Sequence, residues 1–179
     1  TSFERVEGLY EGPRRNQDRR NPIEPNGTPV SYLGFTNEPD TDFTRPQNLA
    51  WAEDILTRWQ TFKDDSAITI PLIIAGQKVT GDRETRECHD PSRPGVVVAR
   101  YSQATLEDVD HALACAKADP RGWRTMAPRD RDHILANVAQ QLRIRRGDLM
   151  GAALADGGKL FTESDPEVSE AIDFVDYYL

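Results

Sequence analysis

The stretch DGGKLFTESDPEVSEAIDFVDYYL, from Asp156 to Leu179, holds the strongest fold signal in the chain. Its glycine pair, Gly157–Gly158, predicts a left-handed end to the helix before it. Ser164, followed three residues later by Glu167, matches a capping box, and Pro166 suits a first turn, so a last helix is predicted with Ser164 as N-cap. Apolar residues then recur at helical spacing: Val168, Ala171, Ile172, Val175 and Tyr178. Because no glycine, proline or cationic last turn follows them, we expect this helix to continue beyond Leu179.

The overall composition excludes several classes of protein. The chain has 179 residues, a formal net charge of −8, 37% hydrophobic and 29% charged residues, which fits a folded protein with long loops. It lacks a run of about 18 apolar residues, as a membrane span requires, and a secretory signal. Its two cysteines, Cys88 and Cys115, suggest no disulfide framework. We therefore expect a cytoplasmic protein without a transmembrane segment.

A basic cluster interrupts the acidic composition near the N-terminus: Arg14, Arg15, Arg19 and Arg20. Such a cluster fits an anion-binding or nucleic-acid-binding arm, and it also fits a solvated linker, which is the commoner context of charge runs. The net negative charge argues against nucleic-acid binding by the surface as a whole. We therefore expect no nucleic acid among the partners.

Composition divides the chain into three parts. Residues 1–45 are rich in Pro, Gly, Asn and charge and predict an extended arm or interdomain linker. Its candidate docking anchors are Tyr32, Leu33 and Phe35. Residues 46–63 predict an amphipathic helix, with Pro46 in its first turn, whose apolar stripe comprises Leu49, Ala52, Ile55, Leu56, Trp59 and Phe62. Residues 64–179 predict a region of short strands followed by helices.

The strand signals come first in that region. Residues 70–74 form a short β-type run, residues 75–78 a tight turn, and residues from Val79 onward the second arm of a hairpin over 70–82. Pro71 has no N–H to donate, so it implies an edge position or a strand start. Residues 96–101 predict a further strand.

Three helices are predicted between these strands and the last helix. The first is capped by Thr105 with Asp108 three residues later, the second begins near Pro128, and the third is capped by Asp148. Trp123 is expected to fill the gap between the first two helices. The side chains expected to face inward are Val109, Ala112, Leu113 and Ala116 on the first helix and Ile134, Leu135, Val138 and Leu142 on the second.

No catalytic or cofactor motif is complete in these residues. Gly157–Lys159 looks like the end of a phosphate-binding loop, but Ala153 stands where the first glycine belongs, and Leu160 follows the lysine. There is no G-x-G-x-x-G turn, no metal-ligand spacing of His and Cys, and no G-x-S-x-G turn. Neither Cys88 nor Cys115 has neighbours that would lower its thiol pKa. The last helix instead carries a group of carboxylates, whose spacing alone favours a solvated acidic face: Glu163, Glu167, Glu170, Asp173 and Asp176.

Residues 70–179 resemble the N-terminal part of an aldehyde dehydrogenase. Four segments carry the resemblance in order: IAGQKVTG, HDPSRPGVVVARYSQATLEDVDHALACAKA, GWRTMAPRDRDHILANVAQQLRIRR and DLMGAALADGGK. ESDPEVSEAIDFVDYYL is similar to the 1-pyrroline-5-carboxylate (L-glutamate γ-semialdehyde) dehydrogenase branch of that family. FTNEPDTDFTRPQNLAWA resembles the lead-in to this domain in bifunctional proline-catabolic proteins, and residues 1–34 carry no resemblance.

The resemblance implies an α/β fold, of which this chain holds the N-terminal β-hairpin and the helical layer of a Rossmann-like NAD-binding domain. It also implies NAD-dependent oxidation of the semialdehyde to L-glutamate, through a cysteine thiolate, hydride transfer to NAD and a glutamate-activated water. The family's catalytic and NAD-binding residues come later, so the resemblance assigns no catalytic, cofactor or metal residue to this chain, which we expect to be inactive alone. FAD enters only if a proline dehydrogenase lies upstream, and the family implies a homo-oligomer.

The resemblance singles out Glu170. In VSEAIDF it matches a glutamate that lines the substrate entrance in this branch, where a carboxylate orients the substrate's ammonium group or anchors a cation of a catalytic loop. A different interpretation stays open, in which the chain is a free-standing helical interaction module that docks through its acidic last helix and its proline-rich arm. Because an isolated chain lacks the main sheet, we also expect its helices to expose their apolar stripes.

Overall fold

The computed structural model describes residues 35–79 and 83–178. The basic cluster, Tyr32, Leu33, the end of the predicted hairpin and Leu179 lie outside these residues. In the described residues, five helices follow one another as Pro46–Trp59 (α1), Leu106–Ala118 (α2), Pro128–Ile144 (α3), Arg146–Gly157 (α4) and Phe161–Tyr177 (α5). The strands are Ile68–Ile70 (β1), Leu72–Ile74 (β2), Gln77–Val79 (β3), Thr85–His89 (β4) and Val97–Ser102 (β5).

The strands form two separate small sheets. In one, β5 lies in the middle, parallel to β1 and antiparallel to β4. The other is the β2–β3 hairpin, in which Ile74 pairs with Gln77 across Ala75 and Gly76. Both turn residues have positive φ, at 53° and 79°, as a two-residue hairpin turn requires. The mixed α/β architecture agrees with the predicted fold class.

Two strand predictions need correction. The predicted run over residues 70–74 is divided at Pro71 into β1 and β2, which belong to different sheets. Proline cannot donate a hydrogen bond to a ladder, so the chain changes sheet there. The predicted four-residue turn is also too long, because Gln77 and Lys78 already pair within β3.

The predicted starts of α2 and α3 are confirmed, whereas those of α4 and α5 are wrong. Asp148 does not cap α4, because α3 runs directly into α4 through Arg145 and leaves no separate cap position. The last helix begins before Ser164, at Phe161. Glu163 caps it by accepting a hydrogen bond from the backbone N–H of Leu160 at 2.8 Å. Ser164 and Pro166 therefore lie inside α5.

The core lies where α3, α4 and α5 meet. Its fully packed residues are Ala139, Met150, Val168 and Ile172, and partly buried side chains of Phe43, Trp51, Leu142, Phe161 and Val175 surround them. The helix α1 packs on α4 at Gly151, where an added Cβ would overlap the indole ring of Trp59. Glycine at this position lets the two helices approach closely.

Several side chains predicted to face inward are exposed instead. On α2, Val109 and Leu113 are 46% and 54% exposed, and Ala112 and Ala116 are also exposed. On α3, Ile134 and Val138 are exposed, and so is Trp123, which fills no gap between helices. These faces stay exposed although α2 contacts β2, so the expectation of exposed apolar stripes is confirmed. Within the described residues, no helix is long and apolar enough to cross a membrane.

Candidate functional site

The acidic residues of α5 do not form one uniform solvated face. Glu163 caps the helix, Glu167 pairs with Lys159, and Asp176 pairs with Arg143. Asp173 accepts hydrogen bonds from the segment that precedes α1. The exposed carboxylate of Glu170 has no ion pair or hydrogen bond to any other described residue. It is therefore the member of the group that remains available to a ligand or another part of a larger protein.

An extended segment, residues 37–41, lies along α5; we call it the strap. Asp165 accepts hydrogen bonds from Thr41, at 2.6 Å from the backbone N–H and 2.8 Å from Oγ1. The hydroxyl of Ser169 donates to the carbonyl oxygen of Pro39 at 3.4 Å. Three α5 side chains at intervals of four residues, Asp165, Ser169 and Asp173, thus contact the strap from one face of the helix.

Arg146, at the start of α4, ties the strap to α5. Its Nε donates to Asp165 Oδ1 at 2.6 Å, and its Nη2 donates to the backbone oxygen of Asp165 at 3.0 Å and to Ser169 Oγ at 2.5 Å. Its Nη1 lies 3.8 Å from Glu38 Oε1. Arg146 and Asp165 are each 1% exposed. A buried guanidinium with this many acceptors fixes the relative position of both helices.

Arg143, on α3, forms the outer part of the same network. Its Nε lies 3.0 Å from Glu38 Oε2, and its Nη2 lies 2.5 Å from Asp176 Oδ2. Beside it, Asp173 accepts from the backbone N–H of Glu38 at 2.5 Å and from Asn37 Nδ2 at 2.8 Å. Burial raises the pKa of Asp173, and the charge of Asp176 adds to this, whereas the Asn37 hydrogen bond and the two guanidinium groups oppose it. The pKa of Asp173 therefore lies above that of an ordinary aspartate, although hydrogen-bond donors and two cations surround it.

The environment of Cys88 does not favour a thiolate. Burial raises the pKa of Cys88, and the neighbouring Asp156 raises it further by charge and by a hydrogen bond. A thiol with a raised pKa is largely protonated near neutral pH, which agrees with the expectation that no neighbour lowers the pKa of Cys88. No group of three His, Cys, Asp or Glu side chains among the described residues is arranged to hold a metal ion.

The described residues do not form a dinucleotide cradle. The strand β5 leads to α2 through Gln103, Ala104 and Thr105, without the glycines that let backbone approach a pyrophosphate. Gly158 ends α4 in a left-handed conformation, at φ 65°, and Lys159 pairs with Glu167. The segment is thus a helix end rather than a phosphate-binding loop, as its sequence indicates.

Sequence reasoning missed the best-organised polar residues: Glu38, Thr41, Arg146, Asp165 and Ser169. One signal was present, because Asp165 lies three and seven residues before the buried Val168 and Ile172 and so shares their face of the helix. A charged residue on an apolar face needs a partner. Its partner Arg146, however, stands in an arginine-rich run in which the sequence does not distinguish the buried member.

The chain has recognisable relatives. The model of the aldehyde dehydrogenase family matches residues 78–179. The chain is 31% identical over 144 residues to a 1-pyrroline-5-carboxylate dehydrogenase of Staphylococcus haemolyticus, covering 80% of the chain and 27% of that protein. A relative of the same name from Oceanobacillus iheyensis is 31% identical over 146 residues, covering 82% of the chain and 28% of that protein. The chain thus spans little more than a quarter of the length of these relatives.

Solved structures agree with this similarity. The crystal structure of a Thermus 1-pyrroline-5-carboxylate dehydrogenase with bound NAD matches with a TM-score of 0.74 and 28% identity, over 80% of the chain and 27% of that structure. Proline utilization A from Bdellovibrio bacteriovorus matches with a TM-score of 0.76 over 85% of the chain and 16% of its own. At 22% identity, the second match bears on the fold alone.

Proposed function

Because the chain belongs to the aldehyde dehydrogenase family, we propose that it is the N-terminal part of an NAD-dependent 1-pyrroline-5-carboxylate dehydrogenase. The proposed reaction oxidises L-glutamate γ-semialdehyde to L-glutamate in proline degradation. The observation that carries this substrate class is the 31% identity to relatives of that name over 144 residues. The 28% identity to an NAD-bound dehydrogenase of the same name supports NAD as the cofactor.

The chain supplies structure rather than chemistry in this proposal. Its described residues hold no dinucleotide cradle, and the pKa of Cys88 is raised rather than lowered. The exposed faces of α2 and α3 fit a role as an outer layer against the remainder of the domain. Between α3 and α4 an open depression of about 460 Å³ is lined mainly by apolar atoms, including those of Ile134, Val138 and Leu149. We therefore propose that the chain is inactive alone.

Glu170 is the proposed substrate-binding residue. It lies on α5, a helix held rigidly by Asp165 and Ser169, and its carboxylate is exposed and makes no contact with a described cation. A carboxylate in this state can orient an ammonium group of the substrate or anchor a cation of a loop that follows in the complete enzyme. A cytoplasmic homo-oligomer is part of the same proposal.

The direct test is an assay of the complete protein that contains this chain. NADH formation is followed with L-glutamate γ-semialdehyde in equilibrium with 1-pyrroline-5-carboxylate, and with propionaldehyde as a comparison aldehyde. We expect a higher kcat/KM for the semialdehyde and no activity from residues 1–179 alone. An equal or higher kcat/KM for propionaldehyde would contradict the proposed substrate. Turnover by residues 1–179 alone would contradict the proposal that this chain is inactive by itself.

The alternative, a free-standing interaction module, is favoured by one observation, the exposed apolar face of α2. The two functions differ in what covers that face. In the enzyme it is covered by residues of the same polypeptide, so Leu113 becomes protected from solvent in the complete protein. A label on Leu113→Cys that stays accessible to solvent in the complete protein would favour the interaction module.

A further inference from the structure

The strap runs antiparallel to α5 and in step with it. Thr41 contacts Asp165 near the start of the helix, Pro39 contacts Ser169, and Glu38 contacts Asp173. An extended chain rises about 3.3 Å per residue, so the four steps from residue 37 to residue 41 cover roughly 13 Å. The eight helical steps from residue 165 to residue 173 cover roughly 12 Å at 1.5 Å each. The two lengths match. Strap residues one or two positions apart therefore contact α5 side chains that are one helical turn apart.

Three of the five hydrogen bonds described between the strap and α5 involve the backbone of the strap. Asp165 and Asp173 accept from the N–H groups of Thr41 and Glu38, and Ser169 donates to the carbonyl oxygen of Pro39. Contacts to backbone atoms fix the register of an extended segment. Thr41 and Glu38 are also buried, at 7% and 8% exposure, so the segment is packed into the domain rather than laid over it.

The strap also completes the charge balance of the network. Glu38 lies between Arg143 and Arg146, which it contacts at 3.0 Å and 3.8 Å. Without the strap, the buried Arg146 would keep Asp165 but lose Glu38, and Asp165 would lose the Thr41 donors. Undocking would replace these contacts by contacts with water, and charge-assisted hydrogen bonds keep a larger net stabilisation over water than neutral ones do, which favours the docked state.

A ring contact agrees with the antiparallel direction of the strap. Phe35 packs edge-to-face on Tyr177, with ring centroids 5.8 Å apart, at the C-terminal end of α5. The described chain ahead of residue 37 therefore lies at that end of the helix, away from Asp165.

We propose that α4 and α5 form a docking site for an extended segment, and that residues 37–41 of this chain occupy it and hold the two helices together. Among the described residues, the folded unit then includes the strap, ahead of the boundary predicted at residue 64. The proposal does not depend on the dehydrogenase activity, because it rests on contacts between described residues.

Hydrogen exchange in the full chain tests the docking. The backbone amides of Glu38 and Thr41 are expected to be strongly protected. Thr41→Val and Ser169→Ala each remove one strap contact and should speed exchange over residues 37–41 about tenfold, which corresponds to the loss of one hydrogen bond to a charged or buried group. Thr44→Val is the matched control, because Thr44 is exposed and its hydroxyl bonds only the nearby Asp42; it should leave the strap unchanged.

Hydrogen exchange in the wild-type chain tests the docking even if a variant fails to fold. Exchange of the strap amides at the rate of an unstructured peptide would overturn the proposal, as would equal effects of Thr41→Val and Thr44→Val in folded chains. A nitroxide on Thr36→Cys, with Cys88 and Cys115 replaced by Ser, tests the direction of the strap along α5. It should broaden amide resonances of residues 173–178 far more than those of residues 161–165, and the reverse or a uniform pattern would contradict the antiparallel docking.

Discussion

Arg146 and Asp165 form an ion pair in the interior of the chain, with Nε and Oδ1 2.6 Å apart and side-chain exposures of 2% and 1%. The pair joins the first residue of α4 to the first turns of α5, and the hydroxyl and backbone N–H of Thr41 complete the coordination of Asp165. The strap, α4 and α5 therefore meet at this ion pair.

Replacing Arg146 by methionine should destabilise the chain strongly. The apolar side chain fills much of the same volume but leaves the Asp165 carboxylate buried without its cation, and breaking a buried pair in this way costs about 3–5 kcal/mol. The stability of Arg146→Lys should lie between those of wild type and Arg146→Met. Lysine keeps the charge but cannot contact Asp165 and Ser169 with a planar guanidinium group. Urea unfolding followed by circular dichroism measures these differences.

The control for this prediction is Arg58→Met. Arg58 and Asp148 lie 2.6 Å apart, but their side chains are 41% and 37% exposed, and exposed pairs contribute about 0–1 kcal/mol. A loss for Arg146→Met no larger than for Arg58→Met would show that burial of the pair does not matter.

Gly151→Ala should destabilise the chain although alanine is the better helix former. A Cβ at Gly151 would overlap the indole of Trp59, and forcing extra volume into a packed contact typically costs about 1–3 kcal/mol, against a gain of about 1 kcal/mol in helix propensity. Gly157→Ala is the control in the same helix, where the nearest atom to the added Cβ is 3.9 Å away. If Gly151→Ala unfolded at the same urea concentration as wild type or higher, the close approach of α1 and α4 would be wrong.

The contribution of Asp173 to stability should decrease as the pH rises. Burial raises its pKa in the folded chain, so the folded state binds its proton more tightly than the unfolded state does. Linkage then makes the free energy of unfolding fall as the pH rises through that raised pKa, and the contribution returns on acidification. Asp108 behaves in the opposite way, because hydrogen bonds from Thr105 lower its pKa and its contribution is lost when the pH falls.

Asp173→Asn isolates this effect, since the amide cannot ionise. The free energy of unfolding of wild type minus that of Asp173→Asn should rise as the pH is lowered from about 7 towards about 4, the range above an ordinary Asp pKa. Urea titrations at several pH values measure the difference. A difference that is constant with pH, or that falls on acidification, would contradict the raised pKa.

Glu170→Ala in the complete enzyme should raise the KM for the semialdehyde about two- to fivefold, as expected for loss of one solvent-accessible charge contact. The KM for NAD should change less, because the proposed contact is to the substrate. Glu53→Ala, an exposed carboxylate on α1, serves as the control in steady-state kinetics. Unchanged substrate kinetics for Glu170→Ala would return Glu170 to an ordinary solvated residue of α5.

Local signals in the sequence predicted local structure well. Thr105 and Asp108 form the expected capping box, α3 begins at Pro128, and Gly158 ends α4 in the left-handed region. Each of these depends on residues within a few positions of one another. The start of α5 was misplaced because Ser164 and Glu163 both offer a capping oxygen, and it is Glu163 that accepts from the backbone N–H of Leu160.

The polar network could not be predicted in this way. Asp165 pairs with Arg146 at a separation of 19 residues and with Thr41 at a separation of 124, and helical periodicity carries no information over such distances. The exposure of the apolar side chains of α2 could not be predicted either. Val109 and Leu113 have the spacing of a core helix, but they are exposed in the described residues. Glu170 remains a prediction, because its assignment came from a resemblance and its carboxylate makes no ion pair or hydrogen bond to another described residue.

The strap also has a consequence for the order of events during synthesis. Thr41 leaves the ribosome 124 residues before Asp165, an interval of roughly 6–25 s at about 5–20 residues per second. During that time the segment has no surface on which to dock, and closing so long a loop is entropically slow. The strap should therefore be the last described element to become ordered, after α4 and α5 have paired, and a nascent chain stalled before residue 165 should present residues 37–41 to chaperones and proteases.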